Sequence, residues 1–301
     1  MDPSAWHQPV MVREVLEYLD VQPDGIYIDA TLGGGGHAQA ILERLEHGKL
    51  LAIDQDPQAL AWARERLRAF SEDKLMLMEG NFAQLDVLHA ASGFPPAHGV
   101  IADLGLSSLQ LADGGRGFSF NLPGPLDMRM SPNTEVTAEE IINQRREWEL
   151  ADLIFKFGEE RHSRRIARAI VKARPIRTTT ELAQVVTRAI PSRAGLHQIH
   201  PATRTFMALR LAVNRELESL EAFLGRVLGV LRPGGRVVVL SFHSLEDRLV
   251  KRAFRGWQRE ERAHVLTRKV VRPSEAEVET NPRSRSAKLR AAEKEGAGSG
   301  E

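Results

Sequence analysis

The stretch Ile28-Asp-Ala-Thr-Leu-Gly-Gly-Gly-Gly-His37 decides the fold. Just before it, Gly25-Ile-Tyr-Ile-Asp29 is a short apolar run ended by an acid, the pattern of a buried parallel strand. After it, residues 37–45 repeat apolar side chains at helical spacing. Glycines between a strand and a helix let the backbone approach a ligand closely, and the helix start offers free N–H groups. The next apolar run, Lys49–Asp54, also ends in an acid, nineteen residues after Gly35. An acid at that place and distance is suited to a ribose hydroxyl pair. A plain tight turn, with Asp54 capping the next helix, is the weaker account, because four glycines opening a helix cost stability. The stretch therefore predicts a nucleoside-containing cofactor in a Rossmann-like α/β sheet.

The pattern continues on both sides. Residues 57–70 read as a helix with Pro57 in its first turn, and 74–78 and 99–104 as the third and fourth strands. Residues 113–200 contain almost no strand-like run. They open with the Gly/Pro-rich GGRGFSFNLPGPLDMRM and continue as helices, two of them started by the capping boxes Thr137-Ala-Glu-Glu140 and Thr178-Thr-Thr-Glu181. A long helical region over 201–231 breaks around Asn214, Arg232-Pro-Gly-Gly235 ends it, and 236–241 returns to strand. Segments 264–271 and 287–292 read as a late hairpin. The simplest topology is one α/β domain, 1–112 with 207–301, interrupted by a helical insertion over 113–206. Residues 293–301 read as a polar, disordered tail.

Composition narrows the chemistry. The 301 residues are 42% hydrophobic and 27% charged and include no cysteine. That excludes disulfide scaffolds, thiolate nucleophiles, thiolate zinc sites and cysteine-ligated clusters. No metal-ligand motif occurs. The first residues carry acids and no continuous apolar run, and no stretch approaches the ~18 apolar residues of a membrane helix, so a soluble cytoplasmic protein is expected. The net charge of +1 averages a polarised chain. Residues 161–177 hold seven basic residues and no acid. Residues 248–290 hold thirteen basic and five acidic residues, a local excess of eight.

The segments HQPVMVREVL, IDATLGGGGH, AIDQDPQAL, DLGLSSLQL, RGFSF, GPLDMRM, GEER, RIARAIV, HPATRTFMALRLAVN, LRPGGRVVVLSFHSLEDR and NPRSRSAKLR together resemble the ribosomal RNA small subunit methyltransferase H family (RsmH, also called MraW). The resemblance spans residues 7–290; between 257 and 271 this chain looks shortened. It implies a class I S-adenosylmethionine-dependent (SAM-dependent) methyltransferase fold with an inserted helical domain. It further implies methylation of the exocyclic N4 amine of a cytidine in the decoding region of 16S ribosomal RNA, within the small ribosomal subunit. By the same resemblance Gly34, Gly35, Gly36 and His37 contact the methionine part of S-adenosylmethionine, Asp54 its ribose and Phe82 its adenine, with Asp103 and Gln110 as further contacts. The physical readings agree: Phe82 follows the third strand, where an aromatic face can cover a base, though a core role is the plainer alternative. Asp103 ends the fourth strand, on the edge where open sheets bind ligands.

The C4 amine of cytosine is a poor nucleophile, so catalysis must hold it in line with the methyl donor. Many amino methyltransferases place a D/N/S-P-P-Y/F motif after the fourth strand; here Asp103-Leu-Gly-Leu-Ser-Ser108 lacks the prolines and the aromatic. Asp103, with loop carbonyls or Ser107, is expected to accept hydrogen bonds from the amine. His243 is a second candidate, with a histidine satisfied inside the strand–helix turn as its equal alternative. Asp127 and Arg129 could close over the site, with a structural ion pair as the stronger account. A cytosine in folded RNA must be exposed before it can react, which suits an RNA-positioning insertion. Arg161, Arg165, Arg168 and Lys172 follow a helical spacing along one face, and Arg204 precedes a helix. Arg283, Arg285, Lys288 and Arg290 form a basic tail; all nine are candidate phosphate contacts.

Three other readings stand beside this one. A SAM-dependent methyltransferase could act on a non-rRNA acceptor, which the basic stretches disfavour. A nicotinamide oxidoreductase would need G-x-G-x-x-G, and His37 with Ala38 fill the phase of its third glycine. A non-catalytic ribosome-assembly factor would retain the pocket without using it, yet no motif looks degraded.

Overall fold

The computed structural model describes residues 8–190 and 200–296. Seven strands, β1 (Ile26–Asp29), β2 (Lys49–Asp54), β3 (Leu75–Glu79), β4 (Ala97–Asp103), β5 (Leu231–Ser241), β6 (Ala263–Val265) and β7 (Lys288–Lys294), form one sheet in the order β3-β2-β1-β4-β5-β7-β6. Neighbouring strands from β3 to β5 run parallel, and β7 runs antiparallel to β5 and β6. The helices in chain order begin with α1 (Val12–Leu19), α2 (Gly36–Leu42), α3 (Pro57–Arg66), α4 (Leu85–Ser92), α5 (Ser108–Ala112) and α6 (Ala138–Gln144). There follow α7 (Glu147–Gly158), α8 (Ser163–Ala173), α9 (Thr179–Ala189), α10 (Thr203–Asn214), α11 (Glu216–Val230), α12 (Ser244–Arg259) and α13 (Glu275–Thr280). Among the described residues no helix is long and apolar enough to cross a membrane.

The chain divides into two compact units, one ending at Ser107 and resuming at Leu217, the other Ser108–Glu216. The first is the doubly wound α/β sheet of the class I SAM-dependent methyltransferase fold, which the sequence led us to expect. Its strands read as near-continuous apolar runs because both faces are covered, and the period-2 alternation sorts them. Ile28, Leu51, Ile53, Val100, Ala102, Val237 and Val239 point to one side, where Phe223 and Leu224 of α11 and Val250 and Phe254 of α12 pack. Tyr27, Leu50, Ala52, Ile101, Val238 and Leu240 point to the other, against Val15 and Leu19 of α1, Ile41 of α2 and Ala63 of α3. Strand order turns back between β1 and β4, so the crevice outside their carboxyl ends is the topological switch point where such sheets bind ligands.

The second unit is helical. Both expected capping boxes form: Glu140 N–H donates to Thr137 Oγ1 at 3.2 Å and Glu181 N–H to Thr178 Oγ1 at 3.3 Å, each glutamate reaching back to the cap backbone. The unit is closed by Asn214, which is buried at the end of α10. Its Oδ1 accepts from Met130 N–H at 2.7 Å, while Nδ2 donates to Met128 O at 2.8 Å and Arg210 O at 2.9 Å. The helix break expected near Asn214 falls at Arg215, left-handed at φ 49°.

Three sequence expectations need correction. α10 packs against α7 and α6 and lies in the helical unit, not in a returning methyltransferase segment from 207. Its apolar stripe and Asn214 are spent on that unit. β7 extends to Lys294, so Glu293 and Lys294 pair in the sheet rather than open a tail; residues 297–301 lie outside the described residues. The late hairpin is shorter than read, with only Ala263–Val265 laddered to β7 besides an isolated Val271–Leu289 bridge.

Asn214→Ala strands one buried N–H and removes the donor to two carbonyls, which should cost about 2–4 kcal/mol. Thr178→Ala, which loses a single cap, should cost about 1 kcal/mol. Urea midpoints of the full chain rank the two; equal losses would mean that Asn214 is not the closing contact.

Candidate active site at the carboxyl edge of the sheet

The site is assembled where β1, β2 and β4 end in Asp29, Asp54 and Asp103. After β1 the chain turns through Gly33 (φ 50°) and Gly35 (φ 75°), conformations that disfavour a side chain. A Cβ on Gly36 would lie 2.8 Å from Pro9, so the start of α2 is also a close approach. Asp54 fastens this loop. Its Oδ2 accepts from Gly33 N–H at 2.7 Å and its Oδ1 from Asp56 N–H at 2.9 Å. Each carboxylate oxygen retains a second lone pair for a ligand hydroxyl. Asp29 is buried and accepts from Thr31 N–H at 3.2 Å, and Thr31 Oγ1 in turn accepts from Asp103 N–H at 2.6 Å.

Three acids in so small a region repel one another and lack water. Burial, with Asp54 close by, raises the Asp29 carboxyl to about 7. Burial raises Asp54 to about 6, against the backbone N–H bonds that hold it down. Asp103 lies well above the ordinary carboxyl range through burial and the neighbouring Asp29 and Glu246. One of its oxygens, Oδ1, is buried without a hydrogen-bond partner.

His37, expected at the cofactor, lies close to Asp103. It is buried in the first turn of α2, Nε2 donating to Val10 O at 2.9 Å and Nδ1 standing 3.5 Å from Asp103 Oδ2. Both ring nitrogens thus face protein groups, which places His37 beside Asp103. With Nε2 committed as the donor, the approach to Asp103 needs a proton on one of the two groups.

His243 caps α12, with Glu246 N–H 3.4 Å from Nδ1 and Glu246 Oε2 accepting from Phe242 N–H at 2.9 Å and His243 N–H at 3.3 Å. Its Nε2 sits 3.1 Å from Glu246 Oε1 but is buried without a well-aligned hydrogen bond. The ring thus serves the turn through Nδ1, while its Nε2 lacks a well-aligned partner. Ser107 stands beside the loop, its Cβ 3.7 Å from where a Gly33 Cβ would be. Phe82 is half-buried in the turn after β3, edge-on to Phe223 with ring centroids 5.4 Å apart, so it is partly core and partly open. Gln110 is buried in α5, in the helical unit.

The basic candidates separate as well. Arg165, Arg168 and Lys172 are exposed on α8, opposite the buried Ile166 and Ile170, and Arg168 approaches Glu147 at 3.4 Å. Arg161 precedes α8, which begins at Ser163, so it does not extend that helix face. Arg204 is held 3.6 Å from Glu160. Arg283 and Arg285 are exposed on a 3-10 turn and Lys288 is half-buried. Arg290 is corrected outright: it lies within β7, only 7% exposed, and donates to Asp247 at 2.7 Å. It therefore has no surface to offer a phosphate.

Sequence reasoning missed Asp29, Thr31 and Glu246. Asp29 and Thr31 stood inside the quoted glycine segment, where an acid and a hydroxyl next to a ligand loop were the available signal. Glu246 could have been found three residues after His243, as a capping partner.

A group of carboxylates reluctant to ionise, with one unpaired acceptor, fits a ligand that brings positive charge. It fits a pyrophosphate badly, since that would add negative charge among them. S-adenosylmethionine, with a sulfonium and an ammonium, matches on this ground.

Comparison with known proteins agrees. Residues 4–295 match the MraW methylase family. The ribosomal RNA small subunit methyltransferase H of Syntrophobacter fumaroxidans (strain DSM 10017 / MPOB) is 48% identical over 313 residues, covering 98% of each chain. Its namesake from Koribacter versatilis (strain Ellin345) is 50% identical over 295 residues, covering 95% of this chain and 93% of its own. That of Thermotoga neapolitana (strain ATCC 49049 / DSM 4359 / NBRC 107923 / NS-E) is 49% identical over 295 residues, covering 96% of both. With a family match across almost its whole length and relatives near half-identity, this chain belongs to the MraW methylase family.

Proposed function

We propose that the protein transfers a methyl group from S-adenosylmethionine to the N4 amine of a cytidine in the decoding region of 16S ribosomal RNA. It acts in the cytoplasm, on RNA of the small ribosomal subunit. The relatives' names support an RNA substrate of that subunit; the choice of an amine rests on the chemistry of the site. The observation that carries it is the buried, unpartnered Asp103 Oδ1 at the switch point of the sheet.

Bound S-adenosylmethionine supplies a methyl on a cationic sulfur: a nitrogen–carbon bond forms as the carbon–sulfur bond breaks, and the bonding pair stays on sulfur. Asp54 offers its spare lone pairs to the ribose, and the loop of Gly34, Gly35 and Gly36 lets the backbone lie close to the methionine part. Phe82 presents an aromatic surface to the adenine. Asp103 accepts a hydrogen bond from the exocyclic amine, which localises the nitrogen lone pair and orients it for attack. His37 steadies the other Asp103 oxygen. The amine becomes acidic only after the methyl arrives, and Asp103, in the ionised form that a cationic cofactor favours, can take the proton released. No cysteine exists to attack the pyrimidine ring, so a thiolate-assisted transfer to ring carbon is closed. Arg165, Arg168, Lys172, Arg283 and Arg285 hold RNA phosphates.

Asp103→Asn removes a buried acid while preserving shape. Methyl transfer to 16S RNA should fall by about 100-fold, while the thermal midpoint at neutral pH holds or rises, because an unfavourable buried charge is gone. Mass mapping of the product nucleoside identifies N4-methylcytidine; an unchanged rate in Asp103→Asn, or a methyl on ring carbon, contradicts the assignment.

The carboxylates also set a pH dependence. Their folded pKa values lie above the unfolded ones, so their contribution to stability is full below about pH 4. It is lost as pH rises through about 6 for Asp54 and about 7 for Asp29. A cationic cofactor favours the ionised forms, so its binding near pH 6 should release protons and tighten as pH rises toward 8. Titration calorimetry of S-adenosylmethionine in buffers of different ionisation enthalpy measures this; proton uptake would show that the carboxylates do not face the charge.

A further inference from the structure

We infer that the outer face of α12 is a track for the phosphates of the RNA strand that leads to the target nucleotide. The inference rests on the proposed RNA substrate and adds a binding surface on the methyltransferase unit itself. Arg248, Lys251, Arg252, Arg255 and Arg259 recur at intervals of three and four and share one helix face, all five exposed. The opposite face, Val250, Phe254 and Trp257, is buried in the core.

Two observations separate this row from an ordinary solvated face. The first is that its charge is not offset. Arg68 and Arg226 of the same unit, by contrast, sit beside acids, Glu65 at 2.6 Å and Asp86 at 3.3 Å. Among the described residues Lys251, Arg252, Arg255 and Arg259 make no ion pair. The acids at the two ends of α12 are already engaged, Asp247 with Arg290 at 2.7 Å and Glu260 with Arg262 at 3.3 Å. Like charges three and four residues apart weaken a helix, so the row costs the folded protein something that a polyanion recovers.

The second observation is position. α12 starts in the turn after β5, where Glu246 closes the cap and contributes to the field at Asp103. The start of α12 therefore lies near the acceptor carboxylate, and the basic row extends from there along the helix's exposed face. Lys251 to Arg259 covers about 12 Å of helix axis. A row of cations suits a backbone of phosphates, and it reads no sequence. Much of the excess charge in residues 248–290 thus falls on α12, not on the NPRSRSAKLR segment, whose Arg290 is buried.

The test compares the full-length protein with the variant K251Q/R252Q/R255Q/R259Q, which leaves Arg248 in place. A control, R64Q/R68Q/R226Q, removes exposed charge elsewhere. The acceptor is small-subunit RNA that lacks the methyl, with labelled S-adenosylmethionine. In the α12 variant KM for RNA should rise on the order of tenfold or more. The slope of log affinity against log salt should flatten by about three, at ~0.7–0.9 per lost phosphate contact. Turnover at saturating RNA and affinity for S-adenosylmethionine should stay as in the parent, and the thermal midpoint should hold or rise. The control should shift KM and slope far less. An unchanged KM and slope in the α12 variant, with parent and variant both methylating RNA, overturns the track and leaves the proposed function standing. An equal effect in the control also overturns it, as general electrostatics. No transfer to any RNA by the parent protein removes the reading on which the track rests, and the track with it.

Discussion

Asp29, Asp54 and Asp103 end neighbouring strands, and a sheet that winds outward in both directions from β1 and β4 must bring those ends together. Much of the local architecture follows from holding these acids in a small, poorly hydrated space. Asp54 is tolerated because Gly33 and Asp56 give it backbone N–H groups, and those same bonds fix the loop and start α3. Asp29 is tolerated because Thr31 donates to it. Thr31 then passes the constraint on, its hydroxyl accepting the N–H of Asp103. Only Asp103 is left with an oxygen unsatisfied, and it has the least reason to ionise. A fold selected for stability alone would not keep three such groups. Sites that break the rules of local satisfaction are where function is expected to lie.

The sequence made this edge legible because a glycine run between two apolar strands has few structural explanations, and because acids ending successive strands mark one side of a sheet. Asp54 and Asp103 could be found that way. The partners of His37 could not be read, since its place in the glycine segment says nothing about which way its ring turns. Only the fold shows it sandwiched between Val10 O and Asp103. Arg290 failed for a similar reason. A basic residue in a basic segment looks like surface until the strand pairing of β7 buries it against Asp247. The capping boxes succeeded because they are local, one side chain and one backbone group three residues apart. Asn214 is the contrary case: its partners Met128 and Met130 lie more than eighty residues away, and no pattern in the chain announces them.

The near-zero net charge has the same origin as these successes and failures: it is a sum over regions that do different things. The carboxyl edge concentrates acids without enough donors, which favours a cationic cofactor. The outer face of α12 concentrates bases without acids, which favours a polyanion. Both imbalances lie in one unit and are linked through Glu246, which caps the helix and faces Asp103.

That link bears on how the chemistry can be organised. A neutral amine attacking a cationic methyl group disperses charge in the transition state, so strong ionic stabilisation is not needed at the reacting nitrogen. What is needed is an acceptor that binds an N–H without first being satisfied by water, and that can take the proton once methylation has made the nitrogen acidic. A carboxylate held at the end of a buried strand, orphaned on one oxygen and steadied on the other by a histidine, meets both conditions. Solvent-exposed carboxylates meet neither, because water would fill their lone pairs and keep their proton affinity low. The burial that makes Asp103 expensive to the fold is thus the property that suits it to its task.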